Sequence, residues 1–531
     1  MDRTILILGA GVMQIPAVRA ARRLGLHVVV ADANTTAPAI EEADEFLHVD
    51  LKDHEAMARA AAALRERRGL DAVFTAGTDF SATVAWVAEK LGLPGNAYEA
   101  ALDATDKFRM RRVLREAGVA VPEFAVLSRA EIERSGCASV DQTVRLPVVV
   151  KPVDSMGGRG VVRADSWDEA EAFAREAVAY SRSGRVVVEG YIDGPEFSLD
   201  AIVYKDDIQI TGFADRHILF PPYFIEMGHT IPTDATAEVQ ASVIEEFKRA
   251  IRALRIGPGA AKGDVKYLSS GAVIGEVAAR LSGGYMSGWT YPLSSGVPLT
   301  EIGIRVALGD VPPRARPSWN RTCAERAIIS IPGRLTEIRG VDAARASGAI
   351  SEIFLNREAG DAVAFPRNNV EKIGNVIAVD SDRAVAVRAA TDAVRSIVPV
   401  LEPLNRETDR FLFEPDSGSG PLPPEYRNWA FEAWGEAHVS NAEWRELTGR
   451  VRDIPLHITV PTKFAESEAK DWSYSTPREI LDALETGRAF RLSFARTTPS
   501  RLDATSRAFF RAIAKGGLQG AQYALDSLSS G

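Results

Sequence analysis

Short apolar runs alternate with helix-like segments over the first hundred residues, and this alternation constrains the fold more than any other feature. The apolar runs are TILIL at 4–8, HVVVADAN, whose strand ends at Asp32, and AVFT at 72–75. Helical patterns occupy 54–68 and 79–91. Strands that alternate with helices form a parallel sheet with helices on both faces. We therefore predict a parallel α/β domain in this part of the chain.

The turn after the first strand, GAG at 9–11, resembles part of a dinucleotide-binding fingerprint. The third glycine of that fingerprint is missing, because Gln14 stands in its place. Glycine-rich turns of this kind bind many ligands or simply allow a tight turn. We favour a substrate-side or structural role here over a nicotinamide site.

Length and charge exclude several classes of protein. A chain of 531 residues is too long for one ordinary core and predicts two to four domains. The net charge of −9 argues against a nucleic-acid partner or a membrane surface, which would favour a basic patch. The N-terminus lacks the pattern of a signal peptide, and no apolar run approaches the about 18–20 residues of a membrane helix. Two cysteines without metal or redox spacing fit a reducing cytoplasm, so we expect a cytoplasmic protein.

After the first hundred residues the pattern changes to antiparallel-looking strands, which places a domain boundary near residue 100. A segment rich in Gly, Ser and Pro at 414–426 reads as a linker. Beyond it, 427–531 reads as mainly helical, and half of the eight tryptophans lie there. We expect these tryptophans to pack the appendage on the main body rather than to form a ligand site. They are Trp429, Trp434, Trp444 and Trp472.

One helix start in the appendage is well marked by STPREILDAL. Ser475 or Thr476 is the predicted N-cap, Pro477 takes the first helical position, and Glu479 lies in the first turn.

The segment KPVDSMGGRG combines a lysine at a strand end with a glycine-rich loop. Glycines let backbone N–H groups approach phosphate oxygens closely, and the lysine supplies a point charge. A Walker A motif is absent, so this would be a different type of nucleotide site. An ordinary hairpin turn would produce the same pattern.

Two acidic residues are predicted to face each other in GDVKYLSSGAVIGEVAARLSGG, which reads as two short strands around a Ser-Ser-Gly turn. If the hairpin is symmetric about Ser270, Asp264 lies opposite Glu276. Facing residues have Cβ atoms ~4.5–5.5 Å apart, and like charges there repel. A divalent cation would remove the repulsion, and hard oxygen ligands completed by nucleotide phosphates describe Mg²⁺.

This acidic pair does not require a metal ion. The hairpin could be asymmetric, which would leave the acids apart, or Lys262 and Lys266 could neutralise them.

Taken in order, these elements resemble the ATP-grasp ligases, whose two α+β lobes hold ATP between them. The resemblance extends from residue 1 to about 410 and rests on the order and spacing of several segments. DKFRMRRVLREAGVAVPE resembles the segment whose lysine, here Lys107, contacts an ATP phosphate. VVVKPVDSMGGRGV resembles the strand and phosphate-covering loop, with Lys151 as second phosphate lysine. The resemblance implies that loop residues Ser155, Gly157 and Gly158 also bind the nucleotide.

The resemblance also assigns the hinge and the metal site. VVVEGYIDGPEFSLD is similar to the interlobe hinge, where Glu189 and the backbone at 190–192, including Tyr191 and Ile192, would meet adenine. Glu196 would bind the ribose hydroxyls. The hairpin matches the metal-binding hairpin. There Asp264 and Glu276 would hold Mg²⁺, and Arg280 would reach the reacting groups.

The implied fold class is a multidomain α/β and α+β protein. Residues 1–100 would form the N-terminal parallel α/β (pre-ATP-grasp) domain, and 101–310 the two-lobed ATP-grasp domain. Residues 311–415 would form a C-terminal α+β lobe, followed by the mainly helical appendage at 427–531. One position departs from the family pattern, because Ala278 stands where the family usually has Asn. That change removes an oxygen ligand and puts a second metal ion in doubt.

The implied reaction is ATP-dependent ligation of a carboxylate to an amine through an acyl phosphate, with Arg280 and Lys151 as catalytic residues and ATP and Mg²⁺ as cofactors. An amino-acid-like carboxylate is the leading substrate. A Glu would bind its amino group and an Arg its carboxylate. The candidate substrate residues are Arg216, Tyr223, Glu226, His229, Ser282, Gly283 and Gly284.

Two alternatives to this reaction remain. One is a carboxylating enzyme that uses bicarbonate through carboxyphosphate, although no biotin-carrier Met-Lys-Met segment is present. The other is a nucleotide-binding scaffold without catalysis. The expected partners are small-molecule substrates, with no nucleic acid and no membrane, and family habit favours a homodimer.

Overall fold

The computed structural model describes residues 3–414, 439–449, 456–485 and 490–529. The chain forms two compact units. The first comprises Met1–His217, His229–Ala324 and Val379–Arg383, and the second comprises Ile218–Gly228, Glu325–Ala378 and Ala384–Gly531. The predicted linker at 414–426 lies almost wholly outside the described residues. Among the described helices, none is both long and apolar enough to cross a membrane.

The predicted parallel sheet is present at the N-terminus. The elements are β1 (Thr4–Leu8), α1 (Ile15–Arg23), β2 (His27–Asp32), β3 (Glu45–His48), α2 (His54–Arg67), β4 (Ala72–Phe74), α3 (Ser81–Leu91) and α4 (Tyr98–Thr105). The strand order is β3-β2-β1-β4, and all pairs are parallel. Ile5 and Ile7 join one apolar cluster, whereas Leu6 and Leu8 join another. Both faces of β1 are therefore covered, as its continuous apolar run predicts.

Gln14 gives the glycine-rich turn after β1 a structural role. Its side chain is fully buried. The amide nitrogen donates to the Ala76 carbonyl, and the amide oxygen accepts from the Ala76 N–H at 3.3 Å. Gly9 adopts φ +98°, and a Cβ there would lie 3.3 Å from Gln14 Cγ. The residue in place of the third glycine thus ties the turn to the loop after β4, which favours a structural role over a nicotinamide site.

We predict that Gln14→Ala loosens this connection. The change leaves buried backbone groups of Ala76 without partners, which costs about 1–3 kcal/mol. Amide hydrogen exchange, followed by mass spectrometry, should become faster in segment 72–78 and stay unchanged in β2. Equal exchange in 72–78 for the variant and the wild type would show that Gln14 does not hold the loop.

Antiparallel strands follow, and except for residues 218–228 they belong to the first unit. The elements are α5 (Lys107–Glu116), β5 (Phe124–Ser128), α6 (Arg129–Ser135), β6 (Val148–Pro152), β7 (Val162–Ala164), α7 (Trp167–Ala177), β8 (Arg185–Gly190), β9 (Glu196–Tyr204), β10 (Asp207–Leu219), β11 (Ile225–Ile231), α8 (Ala237–Ala253), β12 (Gly259–Leu268), β13 (Gly271–Ala278), α9 (Tyr291–Ser295) and α10 (Leu299–Ala307). One sheet has the order β5-β8-β6-β7, and β13, β12, β9 and β10 are neighbours in another.

Helix α8 covers one face of the sheet that contains β9, β12 and β13. Its residues Val243, Phe247 and Ile251 share an apolar cluster with Leu199 and Val265. Because successive side chains of a strand point to opposite faces, the residues between these apolar positions face away from α8. That second face carries the polar side chains of the candidate site.

From residue 311 onward the described part of the chain contains both strands and helices. They are β14 (Thr322–Ile328), β15 (Gly333–Arg339), α11 (Val341–Arg345), β16 (Ile350–Leu355), β17 (Ala362–Val363), β18 (Gly374–Asp380), α12 (Arg383–Ser396), β19 (Val398–Leu401), α13 (Arg406–Phe413), α14 (Asn441–Thr448), β20 (Leu456–Pro461), α15 (Thr462–Ala465), α16 (Pro477–Glu485), β21 (Phe490–Ala495) and α17 (Ala504–Ser529). Strands β20 and β21 pair in parallel within the mainly helical appendage, and the sequence pattern did not reveal them. The four-part division of the chain stays a prediction.

The appendage and the preceding lobe share one apolar core in the second unit. Trp444 stacks on Phe413 with ring centroids 4.2 Å apart, and its indole N–H donates to Asp409 at 2.6 Å. Trp472 packs edge-on against Phe365 at 5.4 Å. These two tryptophans therefore pack the core as predicted, whereas Trp429 and Trp434 lie outside the described residues.

Helix α16 begins as predicted, and the structure decides between the two candidate N-caps. Thr476 Oγ1 accepts from the Glu479 N–H at 3.3 Å, and the Glu479 carboxylate accepts from the Thr476 N–H at 2.7 Å. This reciprocal pair is a capping box, so Thr476 is the N-cap.

Candidate functional site

Polar side chains form three cross-strand rows on the sheet face that points away from α8. Each row joins residues that are direct partners on neighbouring strands, and residues two apart along one strand fall in successive rows. The rows are Arg216, Glu196 and Lys266; Ser198, Asp264 and Glu276; and Asp200, Lys262 and Ala278.

A β-bulge at Gly275 brings the two acids of the hairpin opposite each other. The turn is tighter than predicted, because Leu268 pairs with Gly271, and this register alone would not align the acids. The pairing then shifts by one residue at the bulge, after which Asp264 pairs with Glu276. The hairpin is therefore asymmetric, yet its acids do face each other. The prediction that the two acids face each other was right, but the symmetric hairpin that we expected to align them was wrong.

Both acids lie among cations. Asp264 is buried, its Oδ1 accepts from Ser198 Oγ at 2.7 Å, and its Oδ2 pairs with Lys262 and, at 2.9 Å, with Arg216 Nη1. The side chain of Glu276 is 31% exposed and lies 3.6 Å from Lys107 Nζ. Burial would raise the pKa of Glu276, but the surrounding lysine and arginine charges outweigh it and lower that pKa. Lys262 thus neutralises Asp264, which is one of the alternatives to a metal ion that the sequence left open.

Lys266 does not neutralise the facing acids directly. Its Nζ lies 3.5 Å from Glu196 Oε2, and Glu196 Oε1 pairs with Arg216. The predicted ribose-binding carboxylate is therefore held by two cations.

The donor set fits a magnesium ion that shares its shell with a nucleotide. Two facing carboxylates are hard oxygen ligands, and Mg²⁺ usually keeps waters and phosphate oxygens beside one or two protein carboxylates. Within the described ranges, no group of three or more His, Cys, Asp and Glu side chains is gathered as a metal site. Ala278 pairs with Lys262 and offers no side-chain oxygen. Asp264 and Glu276 are therefore the residues that would hold the ion.

Glu189 positions the predicted phosphate lysine Lys151. The carboxylate is 3% exposed, accepts from Arg111 Nε at 2.9 Å and pairs with Lys151 Nζ. Burial would raise the pKa of Glu189, but the charges of Arg111 and Lys151 lower it to about 2. Burial also lowers the pKa of Lys151, against the attraction of Glu189. Both oxygens of Glu189 are thus engaged, and its contact with adenine stays a prediction.

Two backbone N–H groups of the predicted hinge already form hydrogen bonds within the protein. The Gly190 N–H donates to the Glu123 carbonyl at 2.9 Å, and the Tyr191 N–H donates to the Pro147 carbonyl at 2.9 Å. These two N–H groups are therefore committed within the protein, and the contact of the backbone at 190–192 with adenine stays a prediction.

The glycine-rich loop lies against the predicted phosphate residues. Lys107 Nζ donates to the Ser155 carbonyl at 2.8 Å. Gly157 and Gly158 adopt φ of +70° and +74°, which favours glycine at both places. Arg280 Nη2 lies 3.9 Å from the sulfur of Met156 in the same loop.

Arg280 is a buried cation that forms no ion pair with the described carboxylates. It is 8% exposed, and Nη1 donates to the Leu281 carbonyl at 2.9 Å. Across the part of the chain that the structure describes, no carboxylate forms an ion pair with it. A buried cation without an ion-pair partner is costly, so this guanidinium suits an anionic ligand.

Asp200 holds the glycine loop that follows Arg280. The Ser282 N–H donates to Asp200 Oδ1 at 3.0 Å, and the Ser282 hydroxyl donates to Oδ2. Burial raises the pKa of Asp200 to about 7, against the hydrogen bonds of Ser282 and the charges of Arg280 and Lys262. A Cβ at Gly283 would lie 3.2 Å from the Gly77 carbonyl, so this loop packs closely on the loop after β4. Gly284 adopts φ +59°.

The predicted substrate residues are divided between the two units. Arg216 pairs with Glu196 and Asp264 and so lies in the charged rows, and its role toward the substrate stays a prediction. His229 is fully buried in the first unit. Tyr223 and Glu226 belong to the second unit, and there the Glu226 N–H donates to Asn369 at 2.8 Å.

Three residues of the cluster were missed by the sequence interpretation. Ser198 and Asp200 continue the alternation that begins at Glu196, and polar residues at every second position of an apolar strand are a usable signal. Arg111 follows Lys107 by one helical turn, which places both on one face of α5.

We predict that Asp200→Asn changes how stability depends on pH. The folded-state pKa lies above the ordinary carboxyl value, so the folded protein holds this proton more tightly than the unfolded chain. The contribution of Asp200 to wild-type stability therefore falls as pH rises from about 4 to about 7. The asparagine does not titrate, so the variant should gain a few kcal/mol relative to wild type over that range, since one pKa unit is worth about 1.4 kcal/mol.

Urea unfolding of both proteins at about pH 5 and about pH 8 measures this effect. An equal difference between variant and wild type at both pH values would contradict the raised pKa of Asp200.

Models of three families match the chain. The ATP-grasp N-terminal domain matches residues 18–95, the ATP-grasp domain matches 104–284, and the L-amino acid ligase C-terminal domain 2 matches 326–402. Together these matches span the N-terminal sheet, the charged rows and the lobe that follows.

Similar proteins and structures agree with these matches. The uncharacterized protein y4rH of Sinorhizobium fredii is 27% identical over 408 residues, which are 75% of this chain and 83% of that protein. The D-alanine–D-alanine ligase of Desulforudis audaxviator is 31% identical over 176 residues, 31% of this chain, and only 56% of that ligase is spanned.

A solved structure shows the same fold. The L-amino acid ligase from Bacillus licheniformis superposes with a TM-score of 0.65 at 21% identity, over 76% of this chain and 99% of that one. The matched families, the shared fold and the ordered lysines, hinge and acidic hairpin lead to one conclusion: the chain belongs to the ATP-grasp superfamily.

Proposed function

We propose that this protein is an ATP- and magnesium-dependent carbon–nitrogen ligase. It joins a carboxylate of amino-acid type to an amine and releases ADP and phosphate. The observation that carries the proposal is the buried Arg280, which pairs with no carboxylate of the described residues and lies beside the glycine-rich loop. Superfamily membership supports the same class of reaction.

In the first step, lysine side chains of the site would stabilise the negative charge that develops during phosphoryl transfer. One oxygen of the substrate carboxylate attacks the γ-phosphorus, and the bond from that phosphorus to the bridging oxygen breaks. ADP is the leaving group, and the carboxylate becomes an acyl phosphate. Lys107, Lys151 and loop N–H groups would contact the phosphates, because phosphoryl transfer depends on positioning and charge stabilisation. Glu189 keeps Lys151 oriented for this contact.

Magnesium, held by Asp264 and Glu276, would neutralise phosphate charge. Lys262 and Arg216 already contact Asp264. These two cations would therefore also compensate part of the negative charge that a bound nucleotide adds to that of the two acids.

In the second step, the amine nitrogen attacks the acyl carbon. The carbon–oxygen bond to phosphate breaks, phosphate leaves with one oxygen of the original carboxylate, and the amine loses a proton. Arg280 would hold the carboxylate and then the oxyanion as a bidentate donor. The loop at 154–160 would close over the intermediate and exclude water, since an acyl phosphate hydrolyses readily.

The amino-acid character of the carboxylate is supported by the match to the L-amino acid ligase C-terminal domain. The D-alanine ligase among its relatives supports the same substrate class. Ser282 and the glycines after it, which Asp200 holds, would form part of the substrate site. Roles for Tyr223, Glu226 and His229 in substrate binding stay predictions, as does a homodimer.

A bicarbonate-dependent carboxylase is the second candidate. Carboxylating enzymes share this fold, for example the N5-carboxyaminoimidazole ribonucleotide synthetase from Thermotoga maritima, with a TM-score of 0.58 at 17% identity. At that identity the likeness concerns the fold alone. A nucleotide-binding scaffold would bind ATP without turnover.

One experiment separates these candidates. The protein is incubated with ATP, Mg²⁺ and pooled amino acids and amines, phosphate release is followed, and products are identified by mass spectrometry. The proposal expects phosphate release that requires an amino acid, together with an amide product. Strict dependence on bicarbonate would support the carboxylase, and ATP binding without any turnover would support the scaffold.

Glu276→Ala should abolish Mg²⁺-dependent turnover while leaving the fold intact. The change removes one of the two facing carboxylates that would hold the ion. Turnover is compared with that of Glu245→Ala, which removes an exposed carboxylate of α8. Unchanged turnover in Glu276→Ala would contradict the metal assignment.

Lys151→Ala should raise the apparent KM for ATP at least tenfold, because a charged contact to phosphate is lost. Lys52→Ala, at an exposed position, is the matched control and should keep the wild-type value. If Lys151→Ala also keeps that value, the phosphate loop has been assigned to the wrong segment.

A further inference from the structure

Arg111 is a buried cation at the centre of the charged site. It belongs to α5, is 2% exposed, and lies one helical turn beyond Lys107. Its Nε and Nη2 donate to the two oxygens of Glu189 at 2.9 and 3.3 Å. Nη2 also donates to the Gly275 carbonyl at 2.7 Å. One guanidinium therefore joins the hinge glutamate to the bulge of the acidic hairpin.

Arg111 contacts Gly275, and Gly275 is the bulge residue that brings the two acids opposite each other. The bulge shifts the pairing of β12 and β13 by one residue, so that Asp264 pairs with Glu276. A bulge leaves its extra residue outside the ladder, so a contact from outside the ladder can hold that residue. The hydrogen bond from Arg111 supplies that contact from one side.

On its other side, the bulge lies close to the backbone of strand β12. A Cβ at Gly275 would lie 3.0 Å from the Asp264 carbonyl oxygen, closer than side chains normally approach backbone. A side chain at this position would therefore press on the backbone of Asp264 in the neighbouring strand. The bulge is thus held between a guanidinium and the backbone of the residue whose carboxylate it aligns.

The other contact of Arg111 reaches the phosphate lysine. Glu189 is shared by Arg111 and Lys151; Arg111 and Glu189 are buried, and the Lys151 side chain is 19% exposed. Removing one member of a buried ionic group leaves the others uncompensated. A change at Arg111 therefore acts on Lys151 through Glu189 as well as on the acids through Gly275.

We propose that Arg111 is a positioning residue that sets the metal-binding pair Asp264 and Glu276 through the Gly275 bulge, and Lys151 through Glu189. The inference rests on the proposed function, because it assigns a role toward the nucleotide and metal of that site. Arg111 couples the two halves of the site: the carboxylates for the cation and the lysine for the phosphates.

The test measures Mn²⁺ binding to the intact chain with saturating ADP, from the electron paramagnetic resonance signal of free Mn²⁺. Arg111→Gln should raise the Kd for Mn²⁺ at least tenfold and also weaken ADP binding in the presence of EDTA. Gly275→Ala disturbs only the bulge, so it should raise the Kd for Mn²⁺ similarly while keeping the ADP affinity in EDTA. Arg112→Gln, at the neighbouring exposed position, is the matched control and should equal the wild type.

The double variant Arg111→Gln/Gly275→Ala distinguishes positioning from general destabilisation. Because both changes act on one bulge, the double variant should bind Mn²⁺ little worse than either single variant. Additive losses, or a Kd for Mn²⁺ within twofold of wild type in folded Arg111→Gln, would overturn the inference. If Arg111→Gln does not fold, Gly275→Ala still decides, since normal Mn²⁺ binding there would overturn it.

The same measurement separates this inference from the proposed function. A wild-type protein that binds neither ADP nor Mn²⁺ overturns the proposed function and the inference with it. A wild-type protein that binds both, with variants that lose nothing, overturns the inference alone.

Discussion

The site depends on one cross-strand alignment, in which a single extra residue places Asp264 opposite Glu276. Two like charges at facing positions would repel each other, so the alignment persists only among compensating cations. Lys262 and Arg216 contact one acid, and Lys107 lies near the other. The same cations are suited to phosphate oxygens. An arrangement that would be unfavourable in an ordinary hairpin is therefore a suitable receptor for a metal–nucleotide pair.

Buried charges at this site are organised as connected groups. Arg111, Glu189 and Lys151 form one group, and Lys262, Asp264 and Arg216 form another. Burying an ion is costly unless its partners are close and well directed, and such groups meet that condition. Arg280 differs, because no carboxylate of the described residues pairs with it. This contrast between paired cations and one unpaired guanidinium is why we assign the substrate carboxylate to Arg280.

Local pattern was sufficient for most of the fold. The apolar runs predicted the parallel sheet, and the capping residues predicted the start of α16, because both depend on neighbours in sequence. The bulge at Gly275 was not predictable, since it depends on how β12 and β13 pair beyond the turn. Strands β20 and β21 were missed for a related reason, because a parallel pair joins segments about thirty residues apart in sequence.

The candidate site, too, could be predicted from the sequence only in part. The family resemblance pointed to the lysines, the hinge glutamates and the acidic hairpin, whereas the partners of each charge could not be predicted. The register of β9 and β10 pairs Arg216 with Glu196, which the sequence did not reveal, and the predicted contact of Arg216 with the substrate stays a prediction. Arg111 was overlooked because a basic helix usually presents its charges to water, and only the packing of α5 buries this one.

The central claim, ligation through an acyl phosphate, is tested most directly by following oxygen. The carboxylate substrate found in the product screen is labelled with ¹⁸O in both oxygens, and the released phosphate is analysed by mass spectrometry. The account predicts that each phosphate carries one labelled oxygen and that the other stays in the amide. Unlabelled phosphate, or label recovered in AMP, would contradict it.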